Sequence, residues 1–429
     1  MPVRKPDLDM IAAMCSMDKM VLQSIYQHRC LNEDLLYQFF YRKMDASRTF
    51  AARKIRWMLQ KGLIEPVEYG EDFPALFLTT LGIETYRYLF NIPKEIMDLD
   101  TGKMKNALRL AGSLKMKPNN LRHQMALNQF ELAFEERAAG EIAFTYQDEK
   151  FLDLYTVIRP DGLIQLNQVD LFLEMDMSTE KSDALLSKWN HYREFLKSRE
   201  YRYKDRKTIV LFILNAVQMA EQRRQTVLST LQTGLLDALD SYFEIYVDTP
   251  ENLLDLIFNR LAPNSVNFSQ SIAVLTKDLS VRHGFTCSSS SFMDEIAPYT
   301  VFFAYIRKLN FNRKILVQDG RPQEFLLDVF WDRPLSVLKK IVYYNHMSAA
   351  MLKHLSRKIP YLVVIPEENS FYTELKLMRG MDYSDIYFTT FERLRQMDFP
   401  EALVQYDAMG NLFHFTDYGL QQRVFERKV

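Results

Sequence analysis

Asp161, Glu174, Asp176 and Lys188 have residue types and spacing that suit a divalent-cation site. Asp161 follows Pro160 in a turn-like context, and Glu174-Met175-Asp176 closes an apolar run. Carboxylate oxygens are hard ligands that suit Mg2+ or Mn2+. An ion held by these three residues would polarise a phosphodiester and activate a water, with the ammonium of Lys188 or Lys181 beside it. A second set of side chains suits phosphate by charge alone. Arg42, Lys43, Arg48, Arg53, Lys54, Arg56 and Lys61 fall within 42–61, opposed only by Asp45. A third basic run, Lys103, Lys105, Arg109, Lys115, Lys117 and Arg122, spans 103–122 without one acidic residue. Lys and Arg in such density track nucleic-acid backbones or form solvated faces.

These groups need elements to position them. Residues 18–28 carry Met20, Val21 and Ile25 at helical spacing. Asn32 is placed to cap a second helix. Ser47 opens a third, which Gly62 closes at a C-cap position. LIEPVEYG and FPALFLTTLGIETYRYLF then read as a strand, a returning strand and a further helix. Three helices followed by a hairpin is the order of a winged helix-turn-helix, expected over 15–95. The third helix, which enters the major groove in that geometry, is the one that carries the basic residues. A basic linker is expected over 96–118.

The carboxylates fall in a different pattern. A long helix is expected over 119–139, then strands in GEIAFTYQ, LYTVIRPDGLIQL and VDLFLEMDMST, a helix over 179–196 and a buried strand in TIVLFIL. Helix, three strands, helix, strand is the core order of a restriction-endonuclease-like, PD-(D/E)XK domain, expected over 119–262. In that fold the residue two after the strand Glu is normally Lys. Here it is Asp176, which argues against cleavage, so Mg2+ or Mn2+ is expected only if the site is active.

The run IRPDGLI…VDLFLEMDMSTEKSDALLSKWNHY, behind a candidate winged helix, resembles the replication-relaxation family of plasmids and integrative elements of Gram-positive bacteria. The resemblance covers roughly 15–255 and maps the family pattern onto His123, Asn128, Pro160-Asp161, Glu174, Asp176, Thr179, Glu180, Lys188 and Tyr192. It implies a role in plasmid replication, DNA relaxation or mobilisation. The E-x-D form looks like the family's own.

The last third reads as a degenerate second copy over 290–429. FLLDVFWDRPLSVLKKIVYYNHM parallels LFLEMDMSTEKSDALLSKWNHY, placing Asp328 at Glu174 and Phe330 at Asp176. ILVQDG parallels VIRPDG, a leading helix is expected in FMDEIAPYTVFFAYIRKL, and the Ser-rich stretch 288–291 is read as the joint. Any αβ domain can give such a match by chance.

Composition bounds the rest. The chain has 429 residues, 48% hydrophobic and 25% charged, with net charge −1, as expected for a soluble protein of two or three domains. Cys15, Cys30 and Cys287 form no close pair, which suits a reducing cytoplasm; nucleoid or plasmid association is expected from the DNA-binding reading. Neither a signal peptide nor a run of about 20 apolar residues is seen, so no membrane partner is expected. G-x-x-x-x-G-K-[ST] and G-x-S-x-G are absent, against a P-loop ATPase and an α/β-hydrolase. His346 and His354 stand too far apart to share a metal, and His283 is isolated. The fold class expected is α/β (α+β): a winged helix followed by one or two nuclease-like domains. The preferred function is double-stranded DNA binding for replication, mobilisation or regulation of a mobile element, without cutting. A metal-dependent endonuclease or nickase is the first alternative. The second is a scaffold for replication or relaxation proteins of the same element. A homodimer is open.

Overall fold

The computed structural model describes residues 8–70, 74–98, 102–152, 155–167, 169–202, 206–215, 219–240, 242–261, 266–293, 296, 302–318, 321–330, 334–365, 368, 383, 385–406, 412–415 and 421–423. The chain is mixed α/β, the class expected from its sequence, and divides into two compact units, 1–178 and 179–429.

The first unit opens with α1 (Leu8–Ala12), α2 (Ser16–Gln27), β1 (Cys30–Leu31), the single turn α3 (Glu33–Leu36) and α4 (Arg48–Gln60). The expected caps are in place. Asn32 Oδ1 accepts from Leu35 N–H at 2.9 Å, and Ser47 Oγ accepts from Phe50 N–H at 3.2 Å. Gly62 ends α4 with φ +68, a left-handed conformation that costs glycine little. The buried face of α2 is Met17, Val21, Leu22 and Ile25, whereas Met20 remains 48% exposed. Next come β2 (Ile64–Val67), β3 (Ala75–Leu78) and α5 (Thr80–Leu89). The strands β1, β3 and β2 form an antiparallel sheet with Cys30 opposite Phe77 and Ile64 opposite Leu78. Its residues join those of α2, α4 and α5 in one apolar core.

The stretch read as a basic linker is not featureless. It folds as a two-stranded ribbon, β4 (Glu95–Met97) against β5 (Met104–Asn106), and then α6 (Ala111–Leu114). Gly102, at φ +66, donates to Asp98 O at 2.7 Å, beside a pairing that charge alone did not reveal. The long helix α7 (Pro118–Ala138) follows, then β6 (Thr145–Asp148), β7 (Gly162–Leu166) and β8 (Val169–Asp176). These three strands pair antiparallel, with Gly162 opposite Leu173.

The second unit contains α8 (Ser182–Lys197), α9 (Arg199–Arg202), β9 (Lys207–Leu214), α10 (Ala220–Gly234), β10 (Phe243–Asp248), α11 (Pro250–Leu256) and α12 (Val266–Lys277). The strands β9 and β10 are parallel. Then come β11 (Thr286–Ser288), β12 (Ala304–Arg307), the small hairpin β13 (Val317–Gln318) with β14 (Arg321–Pro322), and β15 (Glu324–Val329). The helix α13 (Pro334–Leu355) connects β15 to β16 (Tyr361–Ile365), and β17 (Ile386–Thr390) follows. β11, β12 and β15 are antiparallel neighbours, and β15, β16 and β17 are parallel.

Three details of the second-copy reading are corrected. The expected leading helix in 292–309 contains β12, because aromatic and β-branched residues there favour a pleated, half-buried strand. The helix ahead of these strands is α12. Ser288, read within a joint, belongs to β11. The strand opposite β15 is β12, whereas ILVQDG leads into the β13–β14 hairpin and its Asp319 lies outside the described residues.

Candidate functional site

α4 carries its apolar side, Ala51, Ile55 and Met58, into the core. Thr49, Arg53, Arg56 and Gln60 are exposed and recur at helical spacing, which lines them along one outward face. Among the described residues no carboxylate pairs with Arg53 or Arg56, and the Arg53 guanidinium lies 5.2 Å from the Phe50 ring centre. Arg42 and Lys61, at the two approaches to the helix, are likewise exposed and without an ion-pair partner among the described residues.

The other basic candidates are engaged. Lys54 Nζ lies 2.8 Å from Asp18 Oδ2. Burial pushes the Lys54 ammonium down, but the hydrogen bond and charge of Asp18 outweigh it and hold the pKa above its usual value. Arg48 pairs with Asp34, Lys43 meets Glu136 at 3.6 Å, Lys105 meets Asp98 at 3.0 Å and Lys115 meets Glu65 at 2.9 Å. Lys103 lies just before β5 and Lys117 just before α7, both exposed.

The three carboxylate candidates lie in the first unit. Asp161 stands directly before β7. Its Oδ2 accepts from Met175 N–H at 2.7 Å and lies 3.1 Å from His123 Nε2 of α7. Glu174 and Asp176 are buried at the end of β8, two residues apart and so on one face of the strand. Among the described residues no group of three or more His, Cys, Asp or Glu side chains is arranged to hold a metal ion. Asp161, Glu174 and Asp176 do not form such a group. Lys188 belongs to the second unit. Its ammonium lies 3.5 Å from Glu180 Oε1 and 5.3 Å from the Phe212 ring centre. Tyr192 is buried on the same helix, its ring 6.0 Å from that of Phe243.

A polar network within the first unit went unread in the sequence, because its members are far apart along the chain. Asn128 of α7 donates to the carbonyls of His28 and Cys30 at 3.2 and 2.6 Å, and accepts from Gln124 at 2.9 Å. Gln124 also donates to buried Asp148 at 2.8 Å. His28 gives one ring nitrogen to Ser24 O at 2.8 Å and the other to Glu131. Burial pushes the His28 pKa down, but the charge and hydrogen bond of Glu131 prevail, and it ends above its usual value. Arg29, at φ +66, places Nη1 3.5 Å from both Asp148 and Glu149. The only foretold member was Asn128, through the family pattern.

In the second unit, Asp328 of β15 accepts from Lys340 at 2.6 Å, Tyr361 at 2.8 Å and Phe303 N–H at 2.9 Å. A strand carboxylate meeting a helix lysine was the arrangement expected of Lys188. Here both partners are buried. Among the described residues no helix is long and apolar enough to cross a membrane.

Residues 22–211, from within α2 into β9, match the family model of replication-relaxation proteins. No curated protein and no solved structure matches the chain.

Proposed function

Because residues 22–211 match the family model of replication-relaxation proteins, we propose that the chain binds double-stranded DNA of a mobile genetic element and acts in that element's replication, mobilisation or regulation without cutting the DNA. α2, α3 and α4 with the β2–β3 hairpin serve in this reading as a winged helix, with α4 in the major groove.

The observation that carries the reading is the outward face of α4. Thr49, Arg53, Arg56 and Gln60 share it, and no carboxylate neutralises either arginine among the described residues. Arginine reads guanine edges and glutamine reads adenine edges in a major groove, and threonine serves either base or phosphate. The β2–β3 hairpin is a poor phosphate contact. Residues 63–78 include Glu65, Glu68, Glu71 and Asp72 and no Lys or Arg. The β8 carboxylates lack the lysine two after Glu174 that hydrolysis in that fold uses, which favours the reading without cleavage.

The test is a binding titration on DNA from the host element, with and without Mg2+. The combined Arg53→Ala and Arg56→Ala variant loses most of its affinity, and wild-type protein leaves supercoiled plasmid intact. Unchanged affinity in that variant refutes α4 as the reading element. Mg2+-dependent nicking that disappears in Glu174→Ala makes the protein a nuclease instead.

A further inference from the structure

The β4–β5 ribbon carries no buried residue. All residues of Glu95–Met97 and Met104–Asn106 are exposed, including Ile96, Met97 and Met104 at 39%, 59% and 61%. A two-stranded ribbon alone is at best marginally stable in water. Both of its outer edges are unpaired among the described residues.

The pairing pattern shows which main-chain groups face outward. Ala107 N–H donates to Lys94 O at 3.0 Å and Asp98 N–H donates to Lys103 O at 2.8 Å, with Ile96 opposite Lys105 between them. Lys94, Ile96 and Asp98 therefore direct their peptide groups toward β5. In an antiparallel ladder the alternate residues, Glu95 and Met97, direct theirs to the open edge.

We propose that β4 pairs with β4 of a second copy of this chain, antiparallel and centred on Ile96. The outward groups of Glu95 then exchange hydrogen bonds with those of Met97 of the second copy. Ile96 meets its own counterpart, and Lys94 lies opposite Asp98 in both directions. Directly opposed side chains on one face interact most strongly, and like charges there are destabilising. Asp98 already holds Lys105 at 3.0 Å. The second copy adds Lys94 on the other flank of the same carboxylate. The β5 edge is disfavoured by the same logic, because antiparallel self-pairing there sets Lys105 against Lys105 when centred on Lys105, and Lys103 against Lys105 when centred on Met104. A four-stranded sheet formed in this way gives the ribbon the neighbours it lacks. On the reading that α4 binds DNA, it also gives the two-fold arrangement with which dimeric readers meet paired half-sites.

The charge pattern provides the test on the full-length chain. Lys94→Asp sets Asp against Asp in the homodimer, and Asp98→Lys sets Lys against Lys. Mixing the two variants restores an attractive pair in both directions. Native mass spectrometry at micromolar concentration should show a wild-type dimer, each variant alone dissociating at least about tenfold more readily, and the mixture forming a heterodimer of intermediate mass. Far-UV circular dichroism checks that both variants fold. Should one fail to fold, Ile96→Arg replaces it, and dissociation of that dimer is expected. A monomeric wild type, an intact homodimer in any of these variants, or folded charge variants that do not form the heterodimer would each overturn the proposal.

Discussion

Lys54 Nζ lies 2.8 Å from Asp18 Oδ2, so one basic residue of α4 is occupied in holding the helix to the first turn of α2. Asp18 is fully buried and also accepts from Cys15 N–H at 3.0 Å. Replacing Lys54 with Met leaves that carboxylate without its counter-charge. The expected loss is about 2–3 kcal/mol in chemical denaturation. Affinity of the folded variant for DNA should change little.

Arg53 and Arg56 behave in the opposite way. Both are exposed, so their conversion to Ala should leave the denaturation midpoint in place. For each phosphate that an arginine no longer neutralises, the slope of log affinity against log salt should become shallower by about 1. A reduced slope with unchanged stability separates a DNA-reading face from a structural one.

Asn128 joins α7 to the end of α2 through the carbonyls of His28 and Cys30. Asn128→Leu keeps the branching of the side chain but removes the donor to the buried Cys30 carbonyl, at a cost of about 2–3 kcal/mol. Thermal unfolding of the full chain measures it.

Glu244 gives a pH dependence. Its carboxylate is buried, and accepts from Leu335 and Ser336 N–H at 3.0 and 3.3 Å, at the start of α13. Burial raises its pKa to about 7, against the pull of Lys207 and these amides. A folded-state value above the unfolded one means that the folded state binds the proton more tightly. This contribution is complete below the ordinary carboxylate value of 4.5 and is lost as pH rises through about 7. The span is at most about 3 kcal/mol. Glu244→Gln should remove this component and be more stable than wild type at alkaline pH, by denaturation at several pH values.

Lys340 and Asp328 are buried partners 2.6 Å apart. Lys340→Met alone should cost about 3–5 kcal/mol, because a buried carboxylate is left behind. Asp328→Leu with Lys340→Met should cost much less than the sum of the single changes, since neither charge remains. Additive losses in the double-mutant cycle would show that the pair is not coupled.

The sequence determined the local features. Helix caps at Asn32 and Ser47, the stop at Gly62 and the strands around Asp161 and Glu174 were legible because caps, turns and apolar periodicity depend on neighbouring residues. The family pattern named His123 and Asp161 without saying that they meet, 38 residues apart, at 3.1 Å. What only the tertiary structure decided is which charges are used internally. Composition counted Lys54, Arg48, Lys43 and Lys115 together with Arg53 and Arg56. Folding gave the first four carboxylate partners from distant segments. It likewise turned an expected basic linker into a ribbon, and an expected helix before β15 into β12. Those outcomes depend on non-local burial and pairing. The free energy of a charge or a strand edge is set by what the rest of the chain brings against it, and one-dimensional spacing does not carry that information.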